Sequence, residues 1–205
     1  MSQPHGVRVR LAYDARRNEI LKAAADLFAA RNVDDVSTTE LATAAGVSRG
    51  LLNHYFATKR DLYLAVIERF VDFPQLPSAP YFEGITADER IRTSVVAWLD
   101  LVEHRSASWL TAVNIGASGR DVEAQALIEA ATDRVVDQIL DVAGLARVAE
   151  GREDVRTALR GYAALATSVT RDWLQFARLN RNQVEILLTE TLLAIVGSVL
   201  PALVS

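Results

Sequence analysis

The chain contains no cysteine. That excludes a disulfide framework, a thiolate metal site and a cysteine nucleophile, and it fits a reducing compartment, so a cytoplasmic location is expected. Histidine is scarce: His5, His54 and His104 stand far apart in sequence. No histidine metal cluster, and no bound metal, is expected within one chain. Lysine is nearly absent, with only Lys22 and Lys59 among 22 basic residues. The chain also lacks a Gly-x-Ser-x-Gly elbow and a glycine-rich phosphate loop. An enzyme is therefore not expected, nor is a cofactor. The opening MSQPHGVRVR has no apolar stretch followed by a small-residue cleavage site, so it does not read as a secretory signal.

What is present is ordinary globular material. Of 205 residues, 50% are hydrophobic and 23% charged, which suffices for one large domain or two small ones. Net charge is unevenly spread. Residues 1–70 hold ten Lys/Arg against eight Asp/Glu, a net of +2, so the rest carries −6 of the total −4. A basic front and an acidic back suggest two parts with different partners.

Long alternating segments are absent, and alanine and leucine fill the periodic stretches, so the fold class reads as all-α. About nine helices are expected. The first spans residues 16–31, with Ile20, Ala24, Leu27 and Phe28 on one face, and residues 1–15 read as a flexible arm. Short helices over 39–45 and 49–56 follow, then a fourth over 59–71. Pro74, Pro77, Pro80 and Gly84 break any helix between them and mark a linker. The domains are therefore drawn as 16–72 and 73–205. Beyond the linker, Thr86 and Glu89 form a capping-box pattern. Further helices are expected over 108–117, 121–142 and 153–179, and a second capping pattern, Asn182 with Glu185, opens the last. Residues 186–204 are nearly all apolar. They suit a bilayer span by length, or a helix buried on two sides. Glu190 within them favours the buried helix, because a carboxylate in lipid costs roughly 2.5–3.5 kcal/mol.

The informative stretch is 38–59, TTELATAAGVSRGLLNHYFATK. Leu41, Ala42, Ala45 and Val47 allow two short helices to pack steeply. Gly46 supplies the left-handed backbone of a tight turn, and Ser48 can cap the second helix. This is the specification of a helix-turn-helix, whose second helix enters the DNA major groove. With Leu52 and Phe56 facing the core, Arg49, Gly50, Asn53 and His54 face outward. Arginine reads guanine and asparagine reads adenine. Leu51 can touch a thymine methyl, while Tyr55 and Lys59 flank the groove and reach phosphates. The N-terminal arginines Arg8, Arg10, Arg16 and Arg17 either reach the duplex or stay in solvent.

Residues 17–70 resemble the N-terminal DNA-binding domain of the TetR family of bacterial transcriptional regulators. Three parts carry the resemblance in order: ILKAAADLFAARNVDDVST, TELATAAGVSRGLLNHYF and TKRDLYLAVIERF. It implies Thr38 and Thr39 near a phosphate, Arg49 to Tyr55 in or beside the groove, and Lys59 on a phosphate, with Ser48 a further candidate DNA contact. Leu51-Leu52-Asn53-His54 departs from the family's commonest pattern, so base preference does not carry over. The resemblance further implies a helical C-terminal domain that binds a small molecule and forms a homodimer on a near-palindromic operator. Leu188, Leu192, Ile195 and Val199 are the expected dimer contacts. Candidate effector contacts are Trp98, Trp109, Asn114, Tyr162, Thr170 and Trp173, and they suggest a hydrophobic effector. Plain core packing explains the same residues. The expected function is a ligand-responsive repressor with no membrane partner. A small-molecule binding protein without specific DNA binding is the alternative.

Overall fold

The N-terminal helix is set by an apolar stripe. The computed structural model describes residues 5–71, 84–118 and 121–204. Helix α1 (His5–Ala30) buries Ile20, Leu21, Ala24, Ala25 and Phe28. It begins well before the expected residue 16, so residues 5–15 are helical rather than a flexible arm. No glycine or proline interrupts the chain from Val7 to Arg31, so nothing stops the helix from extending.

A single turn of tight helix, Val33–Asp35, follows, with the Asn32 side chain accepting from the Asp34 N–H. Ser37 then caps α2 (Thr38–Ala44) reciprocally. Its hydroxyl accepts from the Glu40 N–H at 3.2 Å, and its own N–H donates to the Glu40 carboxylate at 2.9 Å. Gly46, at φ +63°, turns the chain toward α3 (Arg49–Tyr55), capped by Ser48. Thr58 and Asp61 cap α4 (Lys59–Val71) in the same reciprocal way. Phe28, Leu41, Leu52, Phe56, Leu62 and Val66 meet in one core. Phe28 meets the Tyr63 ring edge-on at 5.6 Å.

Helices α5 (Ala87–His104), α6 (Ser106–Ser118) and α7 (Val122–Ala143) continue the chain. Two compact units result, each made of two stretches of chain: 1–72 with 111–128, and 73–110 with 129–205. Residues 111–128, the end of α6 and the start of α7, cluster with the N-terminal residues. Ile115 and Ala124 are buried in that N-terminal core. Arg60 on α4 grips this segment, with its guanidinium on Asp121 (2.8 and 3.1 Å) and Glu123 (2.8 Å). The linker expected over 74–84 lies, as far as residue 83, outside the described residues.

In the second unit Thr86 and Glu89 cap α5 as the pattern predicts. Ile91, Leu99, Val136, Val155, Leu159, Val184 and Leu188 form its core. Helix α8 (Glu153–Leu174) ends five residues short of the expected 179. Ala177 takes φ 50°, a left-handed conformation incompatible with helix, and Phe176 is left exposed under the Arg178 guanidinium. Helix α9 (Arg181–Ala194) is capped by Asn180 with Gln183, not by the pair Asn182 and Glu185. Arg181 instead ties Glu185 to Asp100 and Glu103 on α5. A π-type segment, Ile195–Val199, leads into α10 (Leu200–Val204). Among the described residues every regular element is helical.

Lys59 departs from its expected role. Its ammonium donates to the carbonyls of Val33 (2.9 Å), Val36 (3.1 Å) and Asp34 (3.4 Å). An ammonium has three protons, and the turn before α2 presents three carbonyls to them. The cation is therefore directed into the protein rather than toward a phosphate.

Two outcomes follow from these local bonds. Replacing Lys59 by Met should lower unfolding free energy by about 1–2 kcal/mol, measured by urea denaturation. It should leave the salt slope of DNA binding unchanged, where loss of a phosphate contact would reduce it by about 0.9. Glu40 is held down to about 2 by the Ser37 N–H first and by Arg31 next. A depressed carboxylate stabilises the fold fully above its ordinary range and loses that effect as pH falls through about 2. Carbon-detected titration of the Glu40 carboxyl should find it still ionised at pH about 3, and Arg31→Ala should raise its midpoint only partway.

Candidate nucleic-acid interface

Helix α3 divides cleanly between core and solvent. Leu52 and Phe56, four apart, are buried. Arg49, Gly50, Leu51, Asn53 and His54 are exposed, and Tyr55 is half-buried. Ser48 spends its hydroxyl on the Leu51 N–H at 3.1 Å, so its part here is to start the helix. A Cβ built on Gly50 would meet nothing nearer than the Ser48 hydroxyl, so the backbone is open to close approach. Leu51 is 38% exposed, an apolar side chain in solvent on an otherwise polar face. Thr38 is half-buried and Thr39 exposed in the first turn of α2.

The outward face therefore brings together a guanidinium, a carboxamide, an imidazole and an apolar tip within two turns. That set can hydrogen-bond base edges and touch a methyl group. Lys59 stands apart from it, for the reason given above. Of the basic residues on α1, Arg16 pairs with Glu19 and Arg17 lies over the Phe56 ring at 5.1 Å. The side chains of Arg8 and Arg10 lie outside those described. The sequence reading left out Tyr13, whose ring lies 4.5 Å from that of Tyr55. A signal was available: Tyr13 and Arg17 prolong the spacing of Ile20 and Ala24 by about two more turns of α1.

The candidate effector residues divide between the two units. Asn114 belongs with residues 111–128 in the first unit, whereas the others lie in the second. Trp98 and Trp109 meet edge to face at 6.4 Å. Tyr162 is buried and its hydroxyl donates to the Leu188 carbonyl at 3.1 Å, which makes it a tie between α8 and α9. Burial pushes its phenol well above the ordinary range. Thr170 is fully buried on α8, and its hydroxyl finds no hydrogen-bond partner among the described residues. Ser94 on α5, not singled out by its sequence, shares that condition. Trp173 is half-buried against the same core.

Two of the four expected dimer contacts, Leu188 and Leu192, need correction. Leu188 and Leu192 are buried in their own unit's core. A helix apolar on all sides gives no sequence signal of which side faces inward. Ile195 is half-buried, and Val199 is 43% exposed. The exposed apolar side chains of α9 are Ile186 and Leu187.

Comparison with known proteins agrees with this geometry. Residues 20–66 match the family model for bacterial regulatory proteins of the tetR family. The transcriptional activator FasR of Mycolicibacterium smegmatis is 33% identical over 169 residues, which cover 80% of this chain and 75% of that protein. The transcriptional repressor KstR2 of Mycobacterium tuberculosis is 29% identical over 102 residues, 49% of this chain and 50% of KstR2. Among solved structures, a tetR-family regulator from Streptomyces coelicolor superposes with TM-score 0.68 at 28% identity, covering 93% of this chain and 83% of that one. A helix-turn-helix with an exposed reading face, joined to a helical second unit, thus has the sequence and the fold of these regulators. The chain belongs to the TetR family and is a DNA-binding transcriptional regulator.

Proposed function

We propose that this regulator is a homodimeric repressor released from a near-palindromic operator by a small hydrophobic effector. Arg49, Gly50, Leu51, Asn53 and His54 read bases, while Thr38, Thr39 and Tyr55 position the duplex. Ser48 serves as the cap of the reading helix. The observation that carries the effector reading is the pair of partnerless buried hydroxyls, Ser94 and Thr170. An unpaired buried hydroxyl costs about 1–3 kcal/mol. A bound molecule that is mainly apolar, with one polar group, offsets that cost. Trp98, Trp109 and Trp173 supply apolar and aromatic surface in the same unit, and Tyr162 serves as packing.

The dimer face is the outward side of α8 and α9. Gly161, Ala164 and Ser168 on α8 are exposed, as are Ala194 at the end of α9 and Gly197 and Ser198 in the π-type segment. A Cβ built on Gly161 or Gly197 meets nothing within 4 Å. These small residues, beside Leu165, Ile186 and Leu187, suit close packing with the same helices of a second copy. The segment Arg181–Leu203 is long and apolar enough to cross a membrane by length and composition. Its buried stripe, Val184, Leu188, Leu192 and Leu200, and its outward small residues favour a bundle helix in a cytoplasmic protein.

Three measurements test this reading. Genomic fragments retained by the purified protein should show a footprint with two half-sites about one helical turn apart. Arg49→Ala should abolish that footprint, and sequence-blind retention alone would overturn the reading. Sedimentation should find a dimer, and Gly197→Arg should yield a folded monomer. Thr170→Val should melt higher by a few degrees without ligand, since about 1 kcal/mol shifts a domain of this size by about 2–4 °C. The same variant should show a smaller thermal shift with medium-chain fatty acids and aromatic amides as probes.

A further inference from the structure

Tyr13 lies on α1, on the face that continues the buried stripe toward the N-terminus. It is 41% exposed and belongs to no core cluster. Its ring lies 4.5 Å from the Tyr55 ring, tilted by 32°, and 6.4 Å from the His54 ring, edge-on. His54 and Tyr55 also meet edge-on, at 5.6 Å. One turn along α1, the Arg17 guanidinium covers the Phe56 ring. Two residues of α1 therefore grip residues 54–56, the last turn of the reading helix.

We propose that Tyr13 is a positioning residue for DNA recognition, acting through the rings of Tyr55 and His54. This rests on the reading of α3 as the helix that enters the groove. Tyr55 and His54 are the two ring side chains on the outward part of that helix. Unsupported at a helix end, they sample several rotamers, and binding must freeze them. A ring stacked on them beforehand removes that cost before the duplex arrives. The contact is ring against ring, so the Tyr13 hydroxyl is dispensable, whereas the aromatic ring is not.

The test uses the full-length protein and a duplex that the parent protein selects from a randomised library. Tyr13→Phe should bind as the parent does. Tyr13→Leu should bind about tenfold more weakly, the equivalent of about 1.4 kcal/mol, with an unchanged melting temperature. The Hε1 resonance of His54 should move in Tyr13→Leu and stay in place in Tyr13→Phe. Tyr55→Ala should weaken binding, and the double variant with Tyr13→Leu should lose little more, because both changes remove one arrangement. Binding by Tyr13→Leu equal to the parent's overturns the proposal. So does a loss matched by a lower melting temperature, which assigns Tyr13 to stability alone. Additive losses overturn the route through Tyr55. If Tyr55→Ala itself binds like the parent, the reading of α3 fails and the proposal fails with it.

Discussion

A reading helix of seven residues does not hold together by itself. Helices this short are marginal in water, because nucleation is costly and few hydrogen bonds offset it. Helix α3 therefore exists only as far as its surroundings hold it. Leu52 and Phe56 dock it into the core, and Ser48 satisfies one of its free N–H groups. Two apolar anchors four residues apart use a single narrow stripe of the helix. Apart from Tyr55, which is half-buried against the same core, the other positions are released from packing. That is how so small an element can devote most of its residues to a partner.

The start of α4 is fixed by two neighbouring cations with different tasks. Lys59 closes the turn before α2, and Arg60 holds the start of α7. Asp121 serves twice in this arrangement. Its carboxylate accepts from Arg60 and also from the N–H groups of Glu123 and Ala124, so it caps α7 and clasps α4 together. Arg60 in turn holds Asp121 ionised, below the ordinary carboxylate range. A displacement of the first turn of α7 therefore reaches the first turn of α4 through one bidentate contact. The consecutive positions 59 and 60 diverge by about a quarter-turn on the helix, which lets one cation serve the loop and the other the distant segment.

Much of this was legible in the sequence where local chemistry decides the outcome. Ser48 and Thr86 cap their helices because a hydroxyl three residues ahead of a free N–H needs no tertiary help. The turn at Gly46 and the buried pair Leu52 and Phe56 follow from composition and spacing alone. Legibility failed where several local patterns compete. Asn180 with Gln183 and Asn182 with Glu185 both resemble caps, and only the backbone path chooses between them. The apolar spacing of α8 runs on through Phe176, but the chain turns left-handed at Ala177 first. Lys59 looked like a phosphate ligand because charge alone does not reveal that three carbonyls wait beside it. Ser94 carried no signal, since a buried serine in an apolar stripe looks like any small filler.

The π-type segment Ile195–Val199 accounts for the outward position of Val199. A regular α-helix returns to the same face after seven residues, so Leu192 would be followed inward by position 199. The wider turn absorbs one extra residue. Leu200 is therefore the side chain that comes back to the core, at 2% exposure, and Val199 is turned out. The phase of the helix thus slips once, near its end. The outward surface before the slip, at Ile186 and Leu187, and the outward surface after it, at Gly197 to Val199, belong to two differently phased helices sharing one axis. A straight rod laid against this helix cannot follow both surfaces. Whatever packs there must bend, or must commit to one of the two phases, and a single-residue deletion inside the segment would bring them back into step.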